Sequence, residues 1–222
     1  MKDHFWKIVG LIALVAIIGS VVYSQQVKSK ANEGVVIEDH VKGNPDASVV
    51  LVEYSDFQCP ACAQFEPYVE DIMAKYGDQI RFEYRHFPLL NIHPNAVPAA
   101  QAAEAAAQQG KFWEMHDKLF ANQTTWSTSP TPIRFFEQYA EEIGLDMDQF
   151  KLQLNSSVIT NAIRDSFNEA RGLGLSSTPS FFLNDEKMTY ETFDDFNTAI
   201  EKALGVAPSA DTEAGTEVEF GI

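Results

Sequence analysis

The sequence predicts an α/β fold carrying an all-helical insertion, and three stretches predict it. Val49-Val50-Leu51-Val52-Glu53-Tyr54 is a nearly continuous apolar run of strand length, and helical periodicity follows it at once. From Pro94 to about Leu173 there are helix signals only. Strand character then returns at Ser180-Phe181-Phe182-Leu183, and a last amphipathic helix follows. At 222 residues the chain fits one domain with an insertion, and 45% hydrophobic residues can fill a sizeable core.

Taken in order, residues 1–23 stand apart. Ile8 to Tyr23 is a charge-free apolar run beginning near the terminus, between the length of a signal-peptide core and the roughly 20 residues of a spanning helix. Val22-Tyr23-Ser24 makes a poor cleavage site, so the run reads as an uncleaved membrane anchor ahead of a cleaved signal. Lys2 and Lys7 before it nearly balance Lys28 and Lys30 after it, so charge does not settle orientation. Residues 24–34 are polar and read as a linker.

The domain then spans 35–204. Val35 to Ile37 is expected to form a short edge strand. After Cys59, the residues Phe65, Tyr68, Val69, Ile72, Met73 and Tyr76 repeat at three- and four-residue spacing, which predicts a helix with Pro60 in its first turn, Pro67 inside it and Gly77 as its cap. Ile80 to Phe87 alternates as a strand does. About five helices are expected over 91–173: Ala96–Gln109, Phe112–Ala121, one opened by Thr131-Pro132, one capped by Asp146, and one started by Ser156 or Ser157. Thr192 caps the last helix, and 205–222 reads as a disordered acidic tail.

The formal net charge is −16, from 32 acidic against 16 basic residues, which argues against a nucleic-acid partner because no basic surface is available to neutralise phosphates. An exported domain would meet an oxidising compartment, where paired cysteines are used as disulfides.

The chemistry gathers at Cys59-Pro60-Ala61-Cys62, which holds both cysteines of the chain. A strand ending before Cys59 and a helix starting at it place that sulfur at a helix N-terminus, where unpaired N–H groups and the positive end of the dipole favour the thiolate. Cys62 sits one turn further in, on the same face. Cys59 should therefore attack or be attacked, and Cys62 should resolve. A structural disulfide closing so small a loop would stabilise little. A zinc site needs further ligands, and His4, His40, His86, His93 and His116 show no clustered spacing. Two buried inert thiols remain a third reading, which the exposure usual at a strand-to-helix junction disfavours.

The strand, Cys-Pro-Ala-Cys, the proline-containing helix, the helical block and a late Thr178-Pro179 resemble the thioredoxin superfamily, and within it the DsbA-like thiol:disulfide oxidoreductases. Tyr84-Arg85-His86-Phe87-Pro88-Leu89 and Lys111-Phe112-Trp113-Glu114-Met115-His116-Asp117 are similar to stretches of those proteins. The resemblance implies a thioredoxin fold, with a central mixed sheet flanked by helices. It implies a cis peptide bond before Pro179, with substrate pairing beside Thr178-Pro179, and a buried acid, Glu53, that moves a proton to or from the second cysteine; a carboxylate in an apolar strand should have a raised pKa. Glu66 would have a supporting role at most. His86 and His116 read as packed or hydrogen-bonded residues. Pro60-Ala61 departs from the proline and histidine of the best-known DsbA, and Ala61 cannot donate to the Cys59 thiolate.

The function so implied is disulfide formation in exported proteins with free thiols, by a membrane-tethered monomer that uses no metal or organic cofactor. A membrane partner of the DsbB or vitamin K epoxide reductase type would reoxidise it. A disulfide reductase or isomerase in the same compartment is the alternative.

Overall fold

The computed structural model describes residues 2–206, and their side chains apart from those of residues 2–10, 12 and 13. The tail expected to be disordered falls, from residue 207 onward, outside the described residues.

The sheet has five strands: β1 (His40–Gly43), β2 (Val49–Ser55), β3 (Ile80–His86), β4 (Ser180–Leu183) and β5 (Glu186–Lys187). Their order is β1-β3-β2-β4-β5. β2 is central, parallel to β3 and antiparallel to β4, so the sheet is mixed as expected. Two helices cover one face, α2 (Pro60–Tyr76) and the last helix, α9 (Phe193–Leu204). Phe65, Val69, Ile72 and Met73 from α2 pack there with Phe196 and Ile200 from α9 onto Leu51, Ile80, Phe82 and Phe181. The other face is covered in part by α8 (Ser157–Gly172), whose Ala170 and Phe167 pack with Tyr54 and Phe87.

Between β3 and β4 lies the helical block: α3 (Ala96–Ala107), α4 (Phe112–Ala121), α5 (Gln123–Trp126), α6 (Ile133–Glu142), α7 (Met147–Gln153) and α8. The expected five helices are present, with α5 as a short addition. Its four residues are too few for periodicity to register. Trp126 explains the element: the side chain is fully buried, donates from Nε1 to the Leu119 carbonyl at 2.8 Å and meets Phe136 edge-on. Asp146 caps α7 by accepting from Gln149 N, and Ser156 caps α8 by accepting from Val158 N and Ile159 N. Thr192 and Asp195 form a reciprocal capping box on α9. Pro67 lies inside α2.

Two expectations change. The edge strand is not Val35–Ile37 but β1, which pairs antiparallel with β3, His40 opposite Tyr84. The backbone of Val36 is bonded instead to the Gln108 side-chain amide, at 2.9 and 2.8 Å, and that amide replaces a neighbouring strand. The single-pass membrane anchor is also corrected. Among the described residues no helix is long and apolar enough to cross a membrane. The apolar run opens α1 (Lys2–Asn32), a helix of 31 residues that continues through the stretch read as a linker. Its polar end is docked on the domain, where Ala31 is fully buried and Asn32 Oδ1 accepts from Ser156 Oγ and Ser157 N, both at 2.9 Å.

Candidate active site

β2 delivers the chain to the site. Its last residues, Glu53, Tyr54 and Ser55, are all buried, and Asp56-Phe57-Gln58 turns the backbone into α2. Asp56 is the organising residue of that turn. Its side chain is fully buried and accepts from Gln58 N at 2.7 Å, Leu89 N at 2.8 Å and His93 Nδ1 at 2.6 Å. Its carbonyl accepts from Cys59 N at 3.0 Å. The helical block holds the same turn from the other side. Gln123 Nε2 donates to the Phe57 and Cys59 carbonyls at 2.8 and 2.9 Å, and Gln58 bridges Asn95 N and the Ser127 carbonyl. The insertion thus fixes the backbone that carries the first cysteine. Of these residues only Asp56 carries a local signal that could have found it, since its bond to the N–H two residues on is an Asx turn. His93 and Gln123 are 37 and 64 residues from their partners.

Cys59 is the N-cap of α2, with Pro60 in the first turn. Both thiols are free; Cys59 is 7% exposed and Cys62 is 1% exposed. The peptide bond Thr178–Pro179 is cis, and the Cys59 thiol donates to the Thr178 carbonyl at 3.5 Å. The late Thr-Pro therefore lies against the cysteine pair, although 119 residues separate it from Cys59.

The two thiols are displaced in opposite directions. Hydrogen bonding from Cys62 outweighs burial and lowers the Cys59 pKa from 9 to about 6. The Thr178 side chain, whose buried hydroxyl has no other partner, and the N–H groups of Cys62 and Ala61 add to the lowering. Burial raises Cys62 well above the ordinary range, and the neighbouring Cys59 and Glu53 add to that. A titration checks the asymmetry directly. Alkylation of the reduced chain should rise with pH to a half-maximum near 6 at Cys59, as the thiolate fraction grows, while Cys62 stays unreactive. A midpoint near 9 at Cys59 would contradict it.

Behind the pair stand buried polar groups. Glu53 is 1% exposed, and burial lifts its pKa to about 7 against the pull of the nearby Ser55 hydroxyl. Glu53 Oε2, Ser55 Oγ and Tyr84 Oη are buried without a hydrogen-bond partner. Glu66 is also raised to about 7 by burial, opposed by His116, whose Nε2 is 3.8 Å from its carboxylate. The structure thus brings Cys59, Pro60, Ala61, Cys62, Glu53, Thr178 and Pro179 into one neighbourhood. His86 is buried and hydrogen-bonded to Glu104, and His116 packs among Phe57, Tyr84 and Trp113.

A mixed five-stranded sheet, helices on both faces and a dithiol at a strand-to-helix junction beside a cis-proline loop define a thioredoxin-type disulfide exchanger with a helical insertion. The Thioredoxin family model matches residues 36–202. A thioredoxin-like oxidoreductase from Silicibacter pomeroyi DSS-3 is 28% identical, with a TM-score of 0.64 over 76% of this chain and 94% of that one. BdbD from Bacillus subtilis, 23% identical, shares the fold with a TM-score of 0.66 over 75% of this chain and 93% of that one. The chain therefore belongs to the thioredoxin family, with the architecture of its DsbA-like thiol:disulfide oxidoreductases. A curated relative from Mycobacterium sp. (strain KMS), named Na(+)/H(+) antiporter NhaA 1, is 40% identical over 151 residues, which are 67% of this chain but 24% of that protein. The chain spans about a quarter of the length of such relatives, and their name describes those longer proteins as wholes.

Proposed function

We propose that the chain introduces disulfides into exported proteins with free thiols, by exchange through Cys59-Pro60-Ala61-Cys62. The observation that carries this reading is the opposite displacement of the two thiols, Cys59 toward the thiolate and Cys62 toward the thiol. A stabilised Cys59 thiolate makes the reduced pair favourable and the disulfide oxidising.

In the oxidised form a substrate thiolate attacks Cys59 Sγ. The Cys59–Cys62 bond breaks and Cys62 leaves as a thiolate. Burial makes that thiolate costly, and Glu53, near neutrality half protonated, supplies its proton. A second substrate thiolate attacks the substrate sulfur of the mixed disulfide and expels Cys59 as the stabilised thiolate. The substrate loses two electrons and the cysteine pair gains them. Substrate backbone pairs beside Thr178 and Pro179 while this happens. The dithiol returns to the disulfide through a partner of the DsbB or vitamin K epoxide reductase type. This exchange asks for no metal or organic cofactor.

Ala61 tunes the strength of the couple. Its methyl group packs toward the core and offers the Cys59 thiolate no donor beyond its backbone N–H. Ala61→His adds a charge-assisted donor worth about 1.5–3 kcal/mol. The reduction potential should rise by roughly 30–60 mV, measured against a glutathione buffer, and no rise would remove Ala61 from the account.

The oxidised chain, mixed with a reduced unfolded protein that needs disulfides, should yield oxidised product with one dithiol formed per disulfide made. Failure there, together with fast reduction of insulin disulfides by the reduced chain, would replace the oxidase by the reductase.

A further inference from the structure

Outside the cysteine pair, three side chains far apart in sequence meet where β1, β3 and α3 come together. His40 Nε2 and His86 Nε2 lie 2.7 and 3.0 Å from one and the same oxygen, Glu104 Oε1. The ligand-capable atoms of the three residues lie within 4.8 Å of one another. The second carboxylate oxygen, Glu104 Oε2, is buried and has no hydrogen-bond partner. The side chains of Glu104, His86 and His40 are only 3%, 6% and 9% exposed. A carboxylate buried this far ordinarily has its acceptors filled, because leaving one empty carries the full desolvation cost. Here one oxygen is doubly used and the other is idle.

We infer that His40, His86 and Glu104 form a binding site for a divalent transition-metal ion of the zinc type. Two imidazole nitrogens and a carboxylate oxygen are a donor set for zinc and its first-row neighbours, whereas calcium and magnesium take oxygen ligands. Ligands about 2.1 Å from a tetrahedral zinc stand roughly 3.4 Å apart, so the two nitrogen-to-oxygen separations of 2.7 and 3.0 Å need to widen only slightly for an ion to enter. The three residues line a cavity of about 540 Å³, which leaves the fourth position open to water. Glu38, Asp39, Asp165 and Glu169 on the same walls outnumber the single cation there, Arg85, which is paired with Asp39 and Glu169, so the cavity carries a net negative charge. The ligands sit on two strands and a helix rather than on loops, and the His40 ring is stacked on Phe112 at 3.4 Å, 6° from parallel. The donors are therefore held in place before any ion arrives. The sequence hides the site because His40, His86 and Glu104 are spaced by 46 and 18 residues.

The test uses the full chain with Cys59→Ser and Cys62→Ser, which removes the competing thiols. Cobalt(II) should bind with one-to-one stoichiometry and visible bands free of thiolate charge transfer, zinc should displace it, and bound zinc should raise the melting temperature. Adding His40→Gln should weaken binding by about 10–100-fold or more and abolish the melting shift, with circular dichroism confirming the fold. Glu104→Gln, which keeps the shape of the buried side chain, should do the same. Glu66→Gln, in the separate cluster with His116 and Asp117, should leave the affinity unchanged. Absence of stoichiometric binding, affinity indifferent to both His40→Gln and Glu104→Gln, or loss through Glu66→Gln alone would overturn the site and leave a hydrogen-bonded buried cluster in its place.

Discussion

Cys62→Ser should stop exchange at the mixed disulfide, so that substrate proteins accumulate covalently attached through Cys59 and are released by dithiothreitol. Cys59→Ser should reduce exchange to the uncatalysed rate and trap nothing. The asymmetry follows from position. Cys59 is the N-cap residue, lies against the Thr178 carbonyl and is lowered to about 6. Cys62 is 1% exposed and raised by burial, so a substrate sulfur reaches the first and not the second. Without Cys62 the first mixed disulfide has no internal thiol to break it. Non-reducing electrophoresis followed by peptide mapping reads the result, and attachment through Cys62 in the Cys59→Ser chain would reverse the two roles.

Glu53→Gln should slow exchange near neutral pH by about 100-fold, the lower end of what a positioned proton-transfer group contributes, while making the oxidised protein more stable at alkaline pH. Both effects have one origin. Burial raises Glu53 from 4.5 to about 7, so the folded chain holds a proton that the unfolded chain has already released between those pH values. Its contribution to stability is complete below about 4.5 and is lost as pH rises toward 7 and beyond. The shift corresponds to about 3 kcal/mol, a penalty that glutamine at the same site does not carry. The oxidised form is the one to denature, since it lacks the thiol titrations. A denaturant series at pH 4.5 and pH 8 should show the loss in the parent and a clearly smaller one in Glu53→Gln, where Glu66, also raised to about 7, still titrates. If the variant is as pH-sensitive as the parent, the titrating group is elsewhere; if exchange keeps its rate, Glu53 does not transfer the proton.

The metal site and the cysteine pair are read by separate experiments, because His40, His86 and Glu104 have no role in the exchange steps proposed for the cysteines. Loss of ion binding leaves the redox reading untouched, and loss of exchange leaves the ion site untouched.

Local chemistry made much of the fold legible. The Val49–Tyr54 run, the periodicity of α2 and the caps at Asp146, Ser156 and Thr192 are encoded within a few residues of where they act, and each appears in the structure. Val35–Ile37 misled because β-branched composition reports a preference for extended backbone and not a partner, and the partner there is the Gln108 amide. The apolar N-terminal run misled for a related reason. Hydropathy over a window does not show where the helix containing it ends or what its last turn docks against.

What the sequence determined by itself was the redox pair: two cysteines spaced by one helical turn, after a buried strand, with a proline that opens the helix. That is a property of neighbours along the chain. Only the tertiary structure decided which groups surround the pair and how strongly each is displaced. Thr178 reaches Cys59 through the pairing of β4 with β2, Gln123 grips the Cys59 carbonyl from the insertion, and burial between the sheet and the helices packed on it sets Glu53 near 7 and Cys62 above its ordinary range. Desolvation and hydrogen bonding between distant segments have no linear signature, so the direction of each shift becomes readable only after the chain has closed on itself.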